Sequence, residues 1–121
     1  MVRELYKITT LKGKSGQQYD FSLWTFDDFD DIKRMFKGTA LYLFTNRFAN
    51  GNEFRHFYIY LGETGDLLTR FDNHHKEECI RNHSANCIGF CPLPNSTEED
   101  RKAIETDILL NNNLPCNTAN N

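Results

Sequence analysis

Two aromatic, β-branched runs dominate what this chain can fold into. Residues 39–46 (Thr-Ala-Leu-Tyr-Leu-Phe-Thr-Asn) and 54–62 (Phe-Arg-His-Phe-Tyr-Ile-Tyr-Leu-Gly) are separated by a turn-rich segment containing Asn50-Gly51. Such runs read as strands, and Asn-Gly is the preferred centre of a two-residue type I′ turn. That turn would pair residues whose numbers sum to 101 and set Tyr42 and Tyr60 on opposite faces, since a one-residue slip exchanges faces. A sum of 102 sorts the side chains better. It pairs Tyr42 with Tyr60 and Phe44 with Tyr58, and leaves Leu41, Leu43, Phe57, Ile59 and Leu61 for an apolar second face. The 102 register is therefore expected, with an odd-numbered loop or a one-residue bulge near Gly51.

Other segments follow by pattern. Residues 4–10 and 18–24 alternate enough to form short strands around Gly13–Gly16. Thr25 is placed to cap a helix to about Lys37, with Asp27, Asp28, Asp30 and Asp31 crowding its positive end. These aspartates read as a solvated helix start rather than a metal cluster. Leu67, Leu68, Phe71 and His75 mark a helix to about Arg81, Cys87–Cys91 a short strand, and Ser96-Thr97-Glu98-Glu99 a capping box opening a last helix to about Leu110. The expected fold class is α/β (α+β): a small antiparallel sheet flanked by helices. At 121 residues, without repeats or a Pro/Gly/Ser-rich linker, the chain reads as one domain. Residues 1–38 form an N-terminal hairpin and helix extension, 39–117 the core and 118–121 a frayed tail.

Charge limits the function classes. Lys and Arg number 14 against 17 Asp and Glu, for a net charge of −3, and no stretch is a basic tract. Sequence-independent attraction to phosphate is therefore expected to be modest. No apolar run approaches the roughly 20 residues of a membrane span, and the first residues lack an apolar signal-peptide core. A cytoplasmic protein is expected, with Cys79, Cys87, Cys91 and Cys116 as reduced thiols.

Several polar residues have chemistry of their own. Arg70 is permanently charged and can fork onto phosphate oxygens, with His74 one helical turn on. Taken alone, Arg70 reads as a solvated arginine pairing with Asp66. Glu105 falls inside the apolar arc of the last helix, where a carboxylate is costly unless paired or bound to metal. One carboxylate completed by water and substrate phosphate is the Mg²⁺ pattern. His74, His75, Cys79, His83, Cys87 and Cys91 also cluster, yet their spacings match no standard Cys-x2-Cys zinc pairing, so structural zinc is the lesser alternative.

In order and spacing these residues resemble the GIY-YIG nuclease family. Ala40-Leu41-Tyr42 stands where that family has Gly-Ile-Tyr, and Tyr60-Leu61-Gly62 where it has Tyr-Ile-Gly. Arg70, His74, Glu105 and a Leu-Pro-x-Asn ending at Asn117 follow. The Glu-to-Asn spacing looks like the nuclease module of the bacterial excision-repair incision enzyme. His83 falls where some homing-endonuclease members have a second histidine. Glu63 departs from members that carry lysine after the glycine.

The resemblance implies metal-dependent hydrolysis of DNA phosphodiesters. Tyr42, Tyr60, Arg70, His74 and Glu105 would be catalytic, and Gly62, His83 and Asn117 supporting. Glu105 would hold Mg²⁺ or Mn²⁺, and Asn117 would brace the catalytic face. A free phenol has a pKa of about 10; Arg70 and a divalent ion would lower it, making Tyr42, with His74 as partner, the favoured general base over Tyr60. The implied partner is nucleic acid, with specificity left to a protein partner or an oligomer. The alternative is a catalytically silent module of the same fold that binds nucleic acid or protein.

Overall fold

Alternating apolar side chains need a second layer on each face of a sheet, and that requirement organises the molecule. A computed structural model of the chain describes residues 7–26, 38–66 and 76–117. The strands are β1 (Lys7–Lys12), β2 (Gln18–Thr25), β3 (Ala40–Asn50), β4 (Glu53–Thr64) and β5 (Cys87–Pro92). They form one antiparallel sheet in the order β1-β2-β5-β3-β4. The helices are α1 (Glu77–Asn82) and α2 (Glu98–Leu109), followed by a 3-10 turn, Pro115–Asn117. An α+β fold with an antiparallel sheet is thus as expected. Thr25, the expected helix cap, ends β2; the helix expected to follow it to Lys37 falls on residues 27–37, which lie outside the described residues, as does the start of the one expected from Leu67. Among the described residues no helix is long and apolar enough to cross a membrane.

The two faces bury different side chains. On one, Ala40, Tyr42, Phe44, Tyr60, Ile88 and Phe90 pack with Ile80 of α1 and Cys116 of the C-terminal turn. On the other, Leu11, Phe21, Leu23, Leu41, Leu43 and Leu61 pack with Ile108 of α2 and with Leu114. The sheet curls over this leucine face. Its two outermost strands meet there, the Thr9 hydroxyl lying 2.6 Å from that of Tyr58.

The β3–β4 hairpin resolves the conflict between turn and faces in its own way. Its loop is the two residues Gly51-Asn52, with Asn50 paired to Glu53 and Gly51 at φ +65°. Glycine at the first loop position is the type II′ pattern, not a turn centred on Asn50-Gly51. Pairs beyond it, such as Arg47 with His56, sum to 103 rather than 102. A bulge between Phe44 and Thr45 then leaves Ile59 without an opposite residue, and the register becomes 104, with Phe44 facing Tyr60 and Tyr42 facing Gly62. The extra residue reverses parity, so Tyr42 and Tyr60 share a face as expected although they are not opposed. It also sends Ile59 to the tyrosine face and Tyr58 to the leucine face, both contrary to the 102 register. Phe57 is exposed.

Helix α2 begins one residue later than its predicted cap. Thr97, not Ser96, accepts from the backbone N–H of Asp100, whose carboxylate accepts from the Thr97 N–H in return. Its far end docks on the β1–β2 turn. Asp107 accepts from the Ser15 N–H at 2.9 Å, the Ser15 hydroxyl at 2.7 Å and the Tyr19 hydroxyl at 3.2 Å. Gly13 faces this carboxylate so closely that a Cβ would overlap it. The Ser15 hydroxyl and N–H, with help from Tyr19, hold the Asp107 carboxyl below its ordinary pKa. A depressed carboxylate pKa adds stability above the unfolded-state value, and that stability fades as pH falls through the folded one. Asp107→Asn should therefore lose less stability than the wild type between neutral pH and pH below about 4, read from urea midpoints at both. Equal losses would mean that this anchor does not form in solution.

Candidate active site

The tyrosine pair follows from the register just described. The Tyr42 ring stands edge-on to Phe44 at 5.9 Å and tilted against Tyr60 at 6.0 Å between centroids. Tyr42 is wholly buried, whereas Tyr60 keeps 7% exposure. Gly62 lies opposite Tyr42, and the phenol ring occupies the space that a side chain at 62 would need. Gly62→Ala should thus cost at least the roughly 1–3 kcal/mol typical of overpacking, measured by urea unfolding. An unchanged midpoint would mean that the ring does not rest on this glycine.

β4 is the edge strand beside this pair, and an edge leaves backbone groups unpaired. Asn117 completes it. Its Oδ1 accepts from the Leu61 N–H at 2.8 Å and its Nδ2 donates to the Leu61 carbonyl at 2.8 Å. One side-chain amide thereby supplies both partners that a neighbouring strand would offer. Buried Leu114 and Cys116 hold the turn that presents it, one on each face of the sheet.

Glu105 is half-buried on α2, between buried Arg101 and buried Ile108. Because α2 packs through Ile104, Ile108 and Leu109 on the leucine face, Glu105 belongs to a different layer from the two phenols. Carboxylate and phenols can serve one site only around the edge of β4.

Sequence reasoning passed over Arg101. Its Nε donates to Glu63 at 2.9 Å and its Nη1 to the Ser96 carbonyl at 2.7 Å, with the paired side chains only 7% and 14% exposed. The signal was available: Arg101 lies three residues before Ile104 and seven before Ile108, on the same helical stripe. Glu63, which stands where some nucleases of the resembling family carry lysine, is committed to this pair.

Arg70 and His74 lie outside the described residues. His83 follows α1 and is exposed, with its Nδ1 donating to the Cys79 carbonyl at 2.9 Å. Beside it the expectation of four reduced thiols is corrected, because Cys79 and Cys116 form a disulfide. Their 37-residue separation hides the pairing in the sequence; the C-terminal turn brings Cys116 onto α1. Cys87 and Cys91 are free and buried, and burial pushes each thiol up to about 11. Thiols so raised are poor nucleophiles at neutral pH. Among the described residues, the potential metal-ligating groups drawn together are Cys79, His83 and Cys116, not a set around Glu105.

The outer half of the hairpin adds a surface that the sequence reading did not single out. Phe48, Phe54 and Phe57 are exposed there, and the Arg47 guanidinium sits 3.6 Å from the centre of the Phe54 ring. Comparison with family models, with curated proteins and with solved structures finds no match to this chain.

Proposed function

We propose that this chain is a GIY-YIG-type endonuclease that hydrolyses DNA phosphodiester bonds with Mg²⁺ or Mn²⁺. The observation that carries the reading is the Tyr42–Tyr60 pair on neighbouring strands, with the Tyr42 ring packed over Gly62. These are the residues on which the two half-motifs of the resembling family fall, and the sheet has a packing reason for each. Asn117 adds to it by bracing Leu61, the residue between Tyr60 and Gly62.

In this reading Arg70 binds the scissile phosphate, and His74 hydrogen-bonds a phenol. Of the two phenols Tyr60 is the less enclosed, so it replaces Tyr42 as the favoured general base, with Tyr42 packed against its ring. Glu105 would hold the metal, a lone carboxylate suiting an ion that keeps most of its water. When bound, that ion supplies charge neutralisation at the phosphate. The exposed phenylalanines with Arg47 and Arg55 offer bases a stacking surface flanked by cations. The protein would act in the cytoplasm, with specificity coming from a partner or an oligomer.

Supercoiled plasmid, single-stranded DNA and RNA incubated with Mg²⁺, Mn²⁺ or chelator test the proposal. Metal-dependent cleavage of DNA is expected. Arg70→Ala and Glu105→Ala should each abolish it, since removing a preorganised group at a reacting centre costs about 2.7–4 kcal/mol or more. If both variants cut as fast as wild type, the activity belongs elsewhere. The complete burial of Tyr42 favours a second reading, a silent module that binds nucleic acid or protein. Retained DNA binding with no cleavage in either metal would select it.

A further inference from the structure

We infer that the reduced protein carries a zinc site made by Cys79, His83 and Cys116, and that the disulfide is the oxidised form of the same site. The inference is independent of the nuclease reading.

Geometry carries it. Cys79 and His83 are four residues apart at the end of α1, so one helical turn stacks them on the same side. The C-terminal turn brings in Cys116, with 5.9 Å between the two cysteine Cα atoms. His83 Nδ1 lies 3.8 Å from the Cys79 sulfur and 3.7 Å from that of Cys116. Tetrahedral zinc, with Zn–S of about 2.3 Å and Zn–N of about 2.0–2.1 Å, sets nitrogen and sulfur ligands about 3.6 Å apart. The imidazole nitrogen therefore already stands at ligand distance from both sulfurs. Nδ1 does donate to the Cys79 carbonyl, so zinc would require the proton to move to Nε2.

Thiolate and imidazole select zinc over the hard cation proposed at Glu105. Three protein ligands leave the fourth position to water. The chemistry balances with a dithiol as reductant. The dithiol gives two electrons and two protons to the disulfide, leaving two cysteine thiols and an oxidised dithiol. Zinc then displaces both thiol protons to form the bis-thiolate. In either state α1 stays tied to the turn that carries Asn117, so the brace on Leu61 survives a change of redox compartment.

The test uses the full chain, reduced by a phosphine, desalted without oxygen and titrated with Co²⁺, then Zn²⁺. One cobalt per chain should bind, with the visible bands of a tetrahedral thiolate site, and zinc should displace it. Cys79→Ser and Cys116→Ser should abolish these bands. His83→Ala should weaken binding by more than the roughly 10–100-fold that loss of an outer partner costs. The oxidised protein should bind none. Thermal unfolding of the wild type keeps the test decisive if a variant folds poorly. Zinc should raise the midpoint of the reduced protein and leave that of the oxidised protein unchanged. Absence of stoichiometric binding to reduced wild type, bands that survive both serine substitutions, or a reduced midpoint indifferent to zinc would each overturn the proposal.

Discussion

Glu63→Ala should destabilise the protein by about 3–5 kcal/mol, the cost of leaving one member of a buried ion pair without its partner. Arg101 is nearly enclosed, and Glu63 is the carboxylate that meets its Nε. With Glu63 removed, the guanidinium keeps the Ser96 carbonyl but loses its counter-charge in a setting that water barely reaches. Replacing both members is a different experiment. Glu63→Leu with Arg101→Met removes the charge together with its partner and should cost much less than Glu63→Ala alone. Urea unfolding of the two single variants and the double variant forms a cycle that isolates the coupling. A Glu63→Ala loss below about 1 kcal/mol, the range of exposed pairs, would mean that the bridge is solvated in solution.

Reducing the Cys79–Cys116 bond, with chelator present to keep metal away, should cost about 4 kcal/mol by the loop-closure relation for a 37-residue separation. The cross-link restricts the unfolded chain, and it also holds Cys116 against the tyrosine-face core. Urea midpoints with and without reductant measure the loss. Thiol titration checks the premise. Denatured but unreduced protein should show two thiols, Cys87 and Cys91, and the reduced protein four. Four thiols without reductant would remove the disulfide from the account.

The framework under the tyrosine pair was legible in one dimension because its carriers are local patterns. The two aromatic runs became β3 and β4, and the apolar stripe after residue 97 became α2. Sharing of a face by Tyr42 and Tyr60 could be argued from burial, because only that arrangement puts Leu41, Leu43 and Leu61 together. The position of the bulge could not. A bulge anywhere between Gly51 and Tyr60 satisfies the same parity, and the choice of Ile59 depends on packing from both layers. Arg101 was overlooked for a related reason. Its neighbours Glu98, Glu99, Asp100 and Lys102 make it look like one charge on a solvated face. Only the approach of β4 shows that it is buried.

By itself, then, the sequence determined the strands, the last helix and the need to separate Tyr42 and Tyr60 from the leucines. These are consequences of periodicity, turn chemistry and capping within a few residues. The tertiary structure decided which residues face each other across β3 and β4. It also set α2 on the leucine face, away from the phenols, and joined Cys79 to Cys116. It made Asn117 the partner of an edge strand. Each of those outcomes depends on groups far apart in the chain. Their energy comes from burial and hydrogen bonding that exist only once the sheet has curled, so no local window of residues contains it.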